Sequence, residues 1–226
     1  MIQKTEAIIL RRQEIRETSL ILVAFSPDLG KIHGLVKGAR GARAAVPWYL
    51  EPLTLQSMVL YERRRSSLSL ISACDLIDAF DPIRRDLVRT AYAGFCLDLV
   101  DSMTEQSDPH PEIFHLLLAV LSALKEGADP RSMARFLEVH LLRMTGLLPA
   151  WESLALSPGG RLSLQQILAT PFERLGRLRL TYGIAEELRG ILQGLLHRAL
   201  EKELRSRIFL RALGLEGVRS VHEEAA

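Results

Sequence analysis

The sequence predicts an α+β fold, with a small closed β-barrel over residues 1–80 followed by an all-helical domain over residues 81–226. Three observations carry this expectation. Five short runs rich in β-branched and apolar residues, separated by turn chemistry, fall within the first 80 residues. From Phe80 onward the apolar period changes from 2 to 3.6. The second part also contains helix starts, Asp81-Pro82 and Asp129-Pro130, in which a capping residue precedes a proline at the first helical position.

Residues 5–13 and 19–25 read as the first two strands, and the following Ser26-Pro27-Asp28-Leu29-Gly30 has the composition of a turn. The third strand, 31–37, places Lys31, His33, Leu35 and Lys37 on one face and Ile32, Gly34 and Val36 on the other. Period-2 alternation therefore gives it a basic face and a small apolar face. Residues 53–62 and 67–73 form a hairpin across 63–66, its second arm alternating Ser67-Leu68-Ser69-Leu70. Five strands with one longer loop, 38–52, match a small barrel, whose closure removes exposed sheet edges.

In the second part, Pro111 opens a further helix, and Ile113, Leu116, Leu117, Val120, Leu121 and Leu124 form one apolar stripe. Met133, Phe136, Leu137, Leu141 and Met144 form another, with Gly127 and Gly146 standing where C-terminal caps belong. Residues 147–160, with two prolines, Trp151 and a Gly-Gly pair, read as a loop. Residues 181–204 read as one long helix through Ile184, Leu188, Ile191, Leu192, Leu195 and Leu196. There are no internal repeats or low-complexity tracts.

Composition narrows the function classes. At 48% hydrophobic and 25% charged residues, the chain has the balance of a folded protein. Its longest uncharged apolar stretch, 113–124, has 12 residues. A membrane-spanning helix needs roughly 20, and the first 13 residues lack a small-residue cleavage site, so no membrane contact and a cytoplasmic location are expected. Cys74 and Cys96, with 21 residues between them and no Cys-x-x-Cys pair, cannot build a tetrahedral zinc site and read as reduced core thiols.

The net charge of +2 is unevenly divided. Residues 1–72 carry eleven Lys/Arg against six acids, and the remaining 154 residues carry 18 basic and 21 acidic groups. A first part at +5 beside a second at −3 suggests that the barrel meets a polyanion.

Catalytic signatures are missing. Gly30-Lys31 lacks the earlier glycine and the following Ser/Thr of a phosphate loop, and neither a Gly-x-Ser-x-Gly elbow nor a His-Glu-x-x-His pair occurs. Asp98, Asp101 and Glu105 share a helical face and read as a solvated acidic surface; a magnesium-dependent nuclease would need them as ligands. The expectation is a non-enzyme without cofactors.

The positive signal lies in residues 30–50, where Lys31, His33, Lys37, Arg40 and Arg43 occur without any acid. Fixed cations displace counterions from phosphates, and glycines at 34, 38 and 41 allow close backbone approach. Arg11 and Arg12 on the first strand and Arg63, Arg64 and Arg65 at the hairpin tip extend the set, and Trp48, Tyr49 and Tyr61 are candidates for stacking on unpaired bases. An adaptor whose barrel binds an acidic peptide is the alternative from another class.

Taken together, Ala7-Ile8-Ile9-Leu10-Arg11-Arg12, Gly30-Lys31-Ile32, Lys37-Gly38-Ala39-Arg40, Leu50-Glu51-Pro52-Leu53, residues 136–149 and Leu204-Arg205-Ser206-Arg207-Ile208-Phe209-Leu210 resemble the RecO family in order and spacing. The resemblance implies an N-terminal OB-fold and a helical C-terminal domain. It further implies binding of single- and double-stranded DNA, annealing of complementary strands, and partnership with RecR and single-stranded-DNA-binding protein to load RecA in recombinational repair, in the cytoplasm at the nucleoid. Arg131, Arg135 and Arg143, beside apolar stripes, are the expected docking groups for the acidic tail of single-stranded-DNA-binding protein. Two departures stand out. Arg16-Glu17-Thr18-Ser19 replaces the family's Gly-Glu-Ser-Asp, and residues 150–161 hold none of the four cysteines that many members carry in a zinc-finger-like insertion.

Overall fold

The computed structural model describes residues 2–15, 19–37, 50–61 and 68–216. Five strands come first: β1 (Ile2–Ile15), β2 (Ser19–Ser26), β3 (Gly30–Val36), β4 (Leu55–Tyr61) and β5 (Ser69–Asp78). Helices follow: α1 (Asp81–Arg84), α2 (Leu87–Met103), α3 (Pro111–Lys125), α4 (Pro130–Met144), α5 (Pro158–Ala169), α6 (Tyr182–Leu200) and α7 (Arg205–Ala212), with 3₁₀ segments at Trp151–Ser153 and Phe172–Arg177. The expected α+β architecture is present. Two compact units result, one of Met1–Asp81 with Val100–Leu118, the other of Pro82–Leu99 with Ala119–Ala226.

The strands close into a barrel in the order β1-β2-β3-β5-β4, an OB-like arrangement. The long β1 divides its length between its two neighbours. The first half of β1 pairs antiparallel with β4 (Ile2↔Tyr61 to Ile8↔Leu55) and its second half with β2 (Ile8↔Phe25 to Ile15↔Ser19). A bulge between Ile9 and Arg11 accompanies the change of partner, as an extra residue bends a strand and increases its twist. Closure depends on three parallel pairs, Gly34↔Ser69, Leu35↔Leu70 and Val36↔Ile71. Here the missing side chain of Gly34 matters, because a Cβ there would stand 2.3 Å from Ile71 Cδ1.

The alternation expected of the third strand is observed. Gly30, Ile32 and Gly34 are buried while Lys31, His33 and Leu35 are partly exposed. Inside the barrel pack Ala7, Ile9, Leu22, Ala24, Ile32, Leu50, Met58, Leu60 and Ile71.

The outer face is only partly open. Register places Ile8, Phe25 and Lys31 in one row across β1, β2 and β3, and Arg11, Val23 and His33 in the next. Ile8 and Phe25 are fully buried despite pointing outward. The first unit's other segment lies against the start of β3: Ser107 N–H donates to the Lys31 carbonyl at 3.0 Å, and Gln106 bridges Lys31 in parallel. At Gly30, φ is +64°, and a Cβ would come within 2.1 Å of the Asp108 carbonyl oxygen, so glycine is required on both counts.

In the helical unit, α4 begins as expected. Asp129 caps it, accepting from Ser132 N–H at 2.9 Å, and Pro130 occupies the first turn. Gly127 and Gly146 adopt positive φ of 98° and 71° after their helices. Three boundaries differ from expectation. Asp81-Pro82 opens a helix of only four residues, and α2 restarts behind Asp86, whose carboxylate accepts from Arg89 N–H at 3.0 Å. The end of the expected 147–160 loop is already helical, because Ser157 caps α5 through Gly160 N–H and Pro158 suits its first turn. The expected long helix stops at Leu200, where Glu201 turns left-handed (φ 52°), and α7 begins anew at Arg205.

Candidate nucleic-acid interface

The barrel's cations fall into two groups. Lys31 and Arg11 converge on Asp101 of the same unit: Lys31 Nζ donates to the Asp101 carbonyl at 2.5 Å and lies 3.2 Å from its Oδ1, while Arg11 Nε donates to Oδ2 at 2.8 Å. The Lys31 side chain is only 12% exposed and that of Arg11 54%. The expectation that Lys31 is freely exposed is therefore corrected. Its ammonium is spent on a carboxylate and a carbonyl that hold residues 101–108 to the barrel. Arg11 differs, since the bond uses only its Nε and leaves both terminal nitrogens for another acceptor.

His33 shares the Arg11 row. Its Nε2 is buried without a hydrogen-bond partner. Burial, then the positive charges of Lys31 and Arg11, hold its imidazole below the ordinary value of 6.5, against the opposing pull of Asp101. The shift favours the uncharged imidazole beside Arg11 and Lys31. Arg12 pairs with Glu51, which fastens β1 to the chain entering β4. Lys37 is exposed and bonded to no described residue. Arg40, Arg43, Arg63, Arg64, Arg65, Trp48 and Tyr49 lie outside the described residues.

Register also relates the points at which those undescribed segments leave the sheet. Val36, Ile71 and Leu60 form one row across β3, β5 and β4. At about 4.8 Å per strand, Val36 and Leu60 are roughly 10 Å apart. From this row the chain runs in opposite directions, to Lys37 beyond the end of β3 and to Tyr61 at the end of β4, and Tyr61 is 42% exposed.

The three arginines expected to dock a partner have unlike environments. Arg143 is exposed in the last turn of α4. Arg131 lies over the Tyr182 ring at 5.4 Å, with its Nε buried and unbonded. Arg135 is buried: it forms a closed ring of alternating charge with Glu138, Arg207 and Glu216, all with side chains at most 4% exposed. Arg135 Nη2 donates to Glu216 Oε1 at 2.9 Å, and Arg207 Nη2 donates to Glu138. Arg135 Nε stands 2.7 Å from Glu138 Oε2 and Arg207 Nε 3.4 Å from Glu216 Oε2, but off the N–H direction, so these are ion contacts and not hydrogen bonds. A guanidinium so enclosed offers nothing to a partner at the surface.

Two of the acidic trio have structural roles. Asp98 accepts from Ser206 N–H at 3.1 Å and from its hydroxyl at 2.7 Å, Asp101 serves Arg11 and Lys31, and Glu105 is exposed. Among the described residues no group of three or more His, Cys, Asp or Glu is arranged to hold a metal ion, and no helix is long and apolar enough to cross a membrane. Cys96 is fully buried, and burial pushes the Cys74 thiol up to about 12. Asp101 as a clamp was not foreseen, because its partners are 70 and 90 residues away in the chain.

Comparison with known proteins gives a consistent family. The family description "Recombination protein O N terminal" matches residues 1–80, and "Recombination protein O C terminal" matches residues 84–157. The chain is 32% identical over 149 residues to the DNA repair protein RecO of Syntrophus aciditrophicus (strain SB), covering 66% of this chain and 58% of that protein. It is 33% identical over 150 residues to that of Alkaliphilus metalliredigens (strain QYMF), covering 66% and 60%, and 28% identical over 156 residues to that of Bacillus cereus (strain AH187), covering 69% and 62%. The match thus spans about 60% of the length of these relatives.

Proposed function

As the chain belongs to the recombination protein O family, we propose that it binds DNA through its barrel and anneals complementary single strands in recombinational repair. The outward cations of the described barrel, Arg11 and Lys37, both exposed, carry this reading. Arg11, oriented through its Nε by Asp101, adds a guanidinium with two free nitrogens, the edge that pairs with a phosphate.

Annealing by this route needs no covalent step. Cations neutralise two backbones together and release their counterions; base pairing then drives the strands into a duplex. No general acid, base, nucleophile, nucleotide or metal takes part. Delivery of RecA onto strands coated by single-stranded-DNA-binding protein, in concert with RecR, belongs to the same proposal, as does a cytoplasmic location at the nucleoid.

The test is annealing of complementary oligonucleotides, bare and coated with single-stranded-DNA-binding protein, in chelator and without nucleotide. Accelerated duplex formation is expected. Absence of salt-dependent binding to bare oligonucleotide would overturn the reading and leave the barrel as an adaptor for an acidic peptide.

A further inference from the structure

We propose that the helical unit carries a phosphate-binding site of its own, built on Arg174 and Arg177, that takes the phosphodiester of a DNA strand. The inference rests on the reading that DNA is the chain's ligand, and adds a contact outside the barrel.

A cavity of about 340 Å³ opens between the end of α5 and the 3₁₀ segment Phe172–Arg177, lined by Gln166, Thr170, Pro171, Arg174, Arg177 and Leu178 among others. Leu175 and Leu178 are buried at 1% and 2% exposure and anchor the segment, so the two arginines between and beside them are held at the cavity while remaining exposed. Among the described residues neither guanidinium has an ion pair or hydrogen bond, in contrast to neighbouring Arg179, which donates to the Gly176 and Leu178 carbonyls.

The segment that forms the cavity is itself net basic in sequence. Residues 154–185 hold Arg161, Arg174, Arg177 and Arg179 against one acid, Glu173, within a second part of the chain whose charges otherwise sum negative. Two unneutralised arginines lining one open cavity attract a doubly accepting anion, which planar guanidinium forks bind in two-pronged fashion. The volume stands at the lower end of the roughly 300 to 1,000 Å³ of small-molecule sites, enough for one phosphate and its sugar. Pro171 and Leu178 offer the sugar a short apolar wall. A peptide's aromatic anchor would need a deeper apolar hole, and the phosphodiester is therefore the favoured occupant.

The test compares the full chain with its R174A/R177A and R174K/R177K variants. Affinity for an oligothymidylate of about 30 nucleotides is read by fluorescence anisotropy across roughly 50 to 200 mM salt. Losing two phosphate contacts at about 0.7 each should flatten the double-logarithmic salt slope by about 1.4 in the alanine variant, while the lysine variant keeps it. Because both arginines are exposed, thermal melting should stay unchanged. If wild type shows no salt-dependent binding, the DNA reading itself fails. If wild type binds and the alanine variant keeps both its affinity and slope, only this site is overturned. A short peptide of alternating Asp and Phe that binds wild type but not the alanine variant, with the DNA slope unmoved, makes it a peptide site and overturns the proposal too.

Discussion

Lys31 is bonded to Asp101 twice, its Nζ donating to the backbone carbonyl at 2.5 Å and lying 3.2 Å from Oδ1. Lys37, six residues on, is exposed and bonded to no described residue. Alanine at the two positions should thus have opposite consequences. Lys31→Ala should cost about 1.5 to 3 kcal/mol of stability, the range for hydrogen bonds to charged groups. Lys37→Ala should change stability by less than about 0.5 kcal/mol but flatten the salt slope for single strands by about 0.7. Urea denaturation and oligonucleotide titration of the same two variants check this. Equal stability losses, or a slope change confined to the Lys31 variant, would reverse the assignment.

The ring of Arg135, Glu138, Arg207 and Glu216 yields a second expectation. Each charge has two opposite neighbours and essentially no water, so removal of one leaves buried partners uncompensated. Breaking such a set typically costs about 3 to 5 kcal/mol, whereas replacing it whole by packed apolar groups is often neutral. Glu138→Ala, which strands both arginines, should fall in the costly range. A fourfold apolar replacement should recover much of the loss. Chemical denaturation decides, and a loss below about 1 kcal/mol for Glu138→Ala would mean that water reaches the ring.

Acid sensitivity follows from one buried imidazole, His140, and one partly buried, His33. Burial is the leading cause holding both His33 and His140 below 6.5, with Lys31 and Arg11 adding to it at His33 and Arg143 at His140, where a hydrogen bond to the Ile167 carbonyl opposes. Below about 6.5 the unfolded chain takes up protons that these folded imidazoles refuse, so stability falls as pH drops through that window. Above it their contribution is complete. His110 works oppositely, raised chiefly by its hydrogen bond to Glu112, but it is solvated. The His33→Gln/His140→Gln variant should show a shallower rise of unfolding free energy between about pH 5 and 6.5. An unchanged slope would assign the acid response to other groups.

Much of the barrel was legible in the sequence, because side-chain alternation is a direct record of which face meets the core. Lys31, Ile32, His33 and Gly34 show it residue by residue. The functional surface was less legible for a related reason: alternation says that Lys31 points outward without saying that Asp101 comes to meet it from 70 residues away. In α4, Arg135 reads as a docking group beside an apolar stripe, yet residues 132–142 are all buried, which is tolerable only because Arg207 and Glu216 complete the charges of Arg135 and Glu138 from α7 and beyond. Local signals also misplace helix ends. Glu201 adopts the left-handed conformation without being glycine or asparagine, so nothing in its neighbourhood announces the end of α6.

The sharpest expectation concerns the basic segments that leave the barrel beside Val36 and Leu60. Lys37, Arg40 and Arg43 form one set and Arg63, Arg64 and Arg65 the other, and Lys31 is left intact because its role is to hold Asp101. If each cation neutralises one phosphate, either triple alanine variant should flatten the single-strand salt slope by about 2, at about 0.7 per contact, with the sixfold variant losing about 4. If one continuous strand meets both sets, the effects should add. Annealing rate should fall with them, since neutralisation of two backbones is the step that lets bases meet. Circular dichroism melting of each variant verifies folding, and oligonucleotide titration over a salt series measures the slopes. If one triple variant loses all of the salt dependence and the other none, DNA meets a single segment. If both fold and keep wild-type affinity and slope, the barrel does not carry the binding, and the Arg174–Arg177 cavity becomes the principal contact.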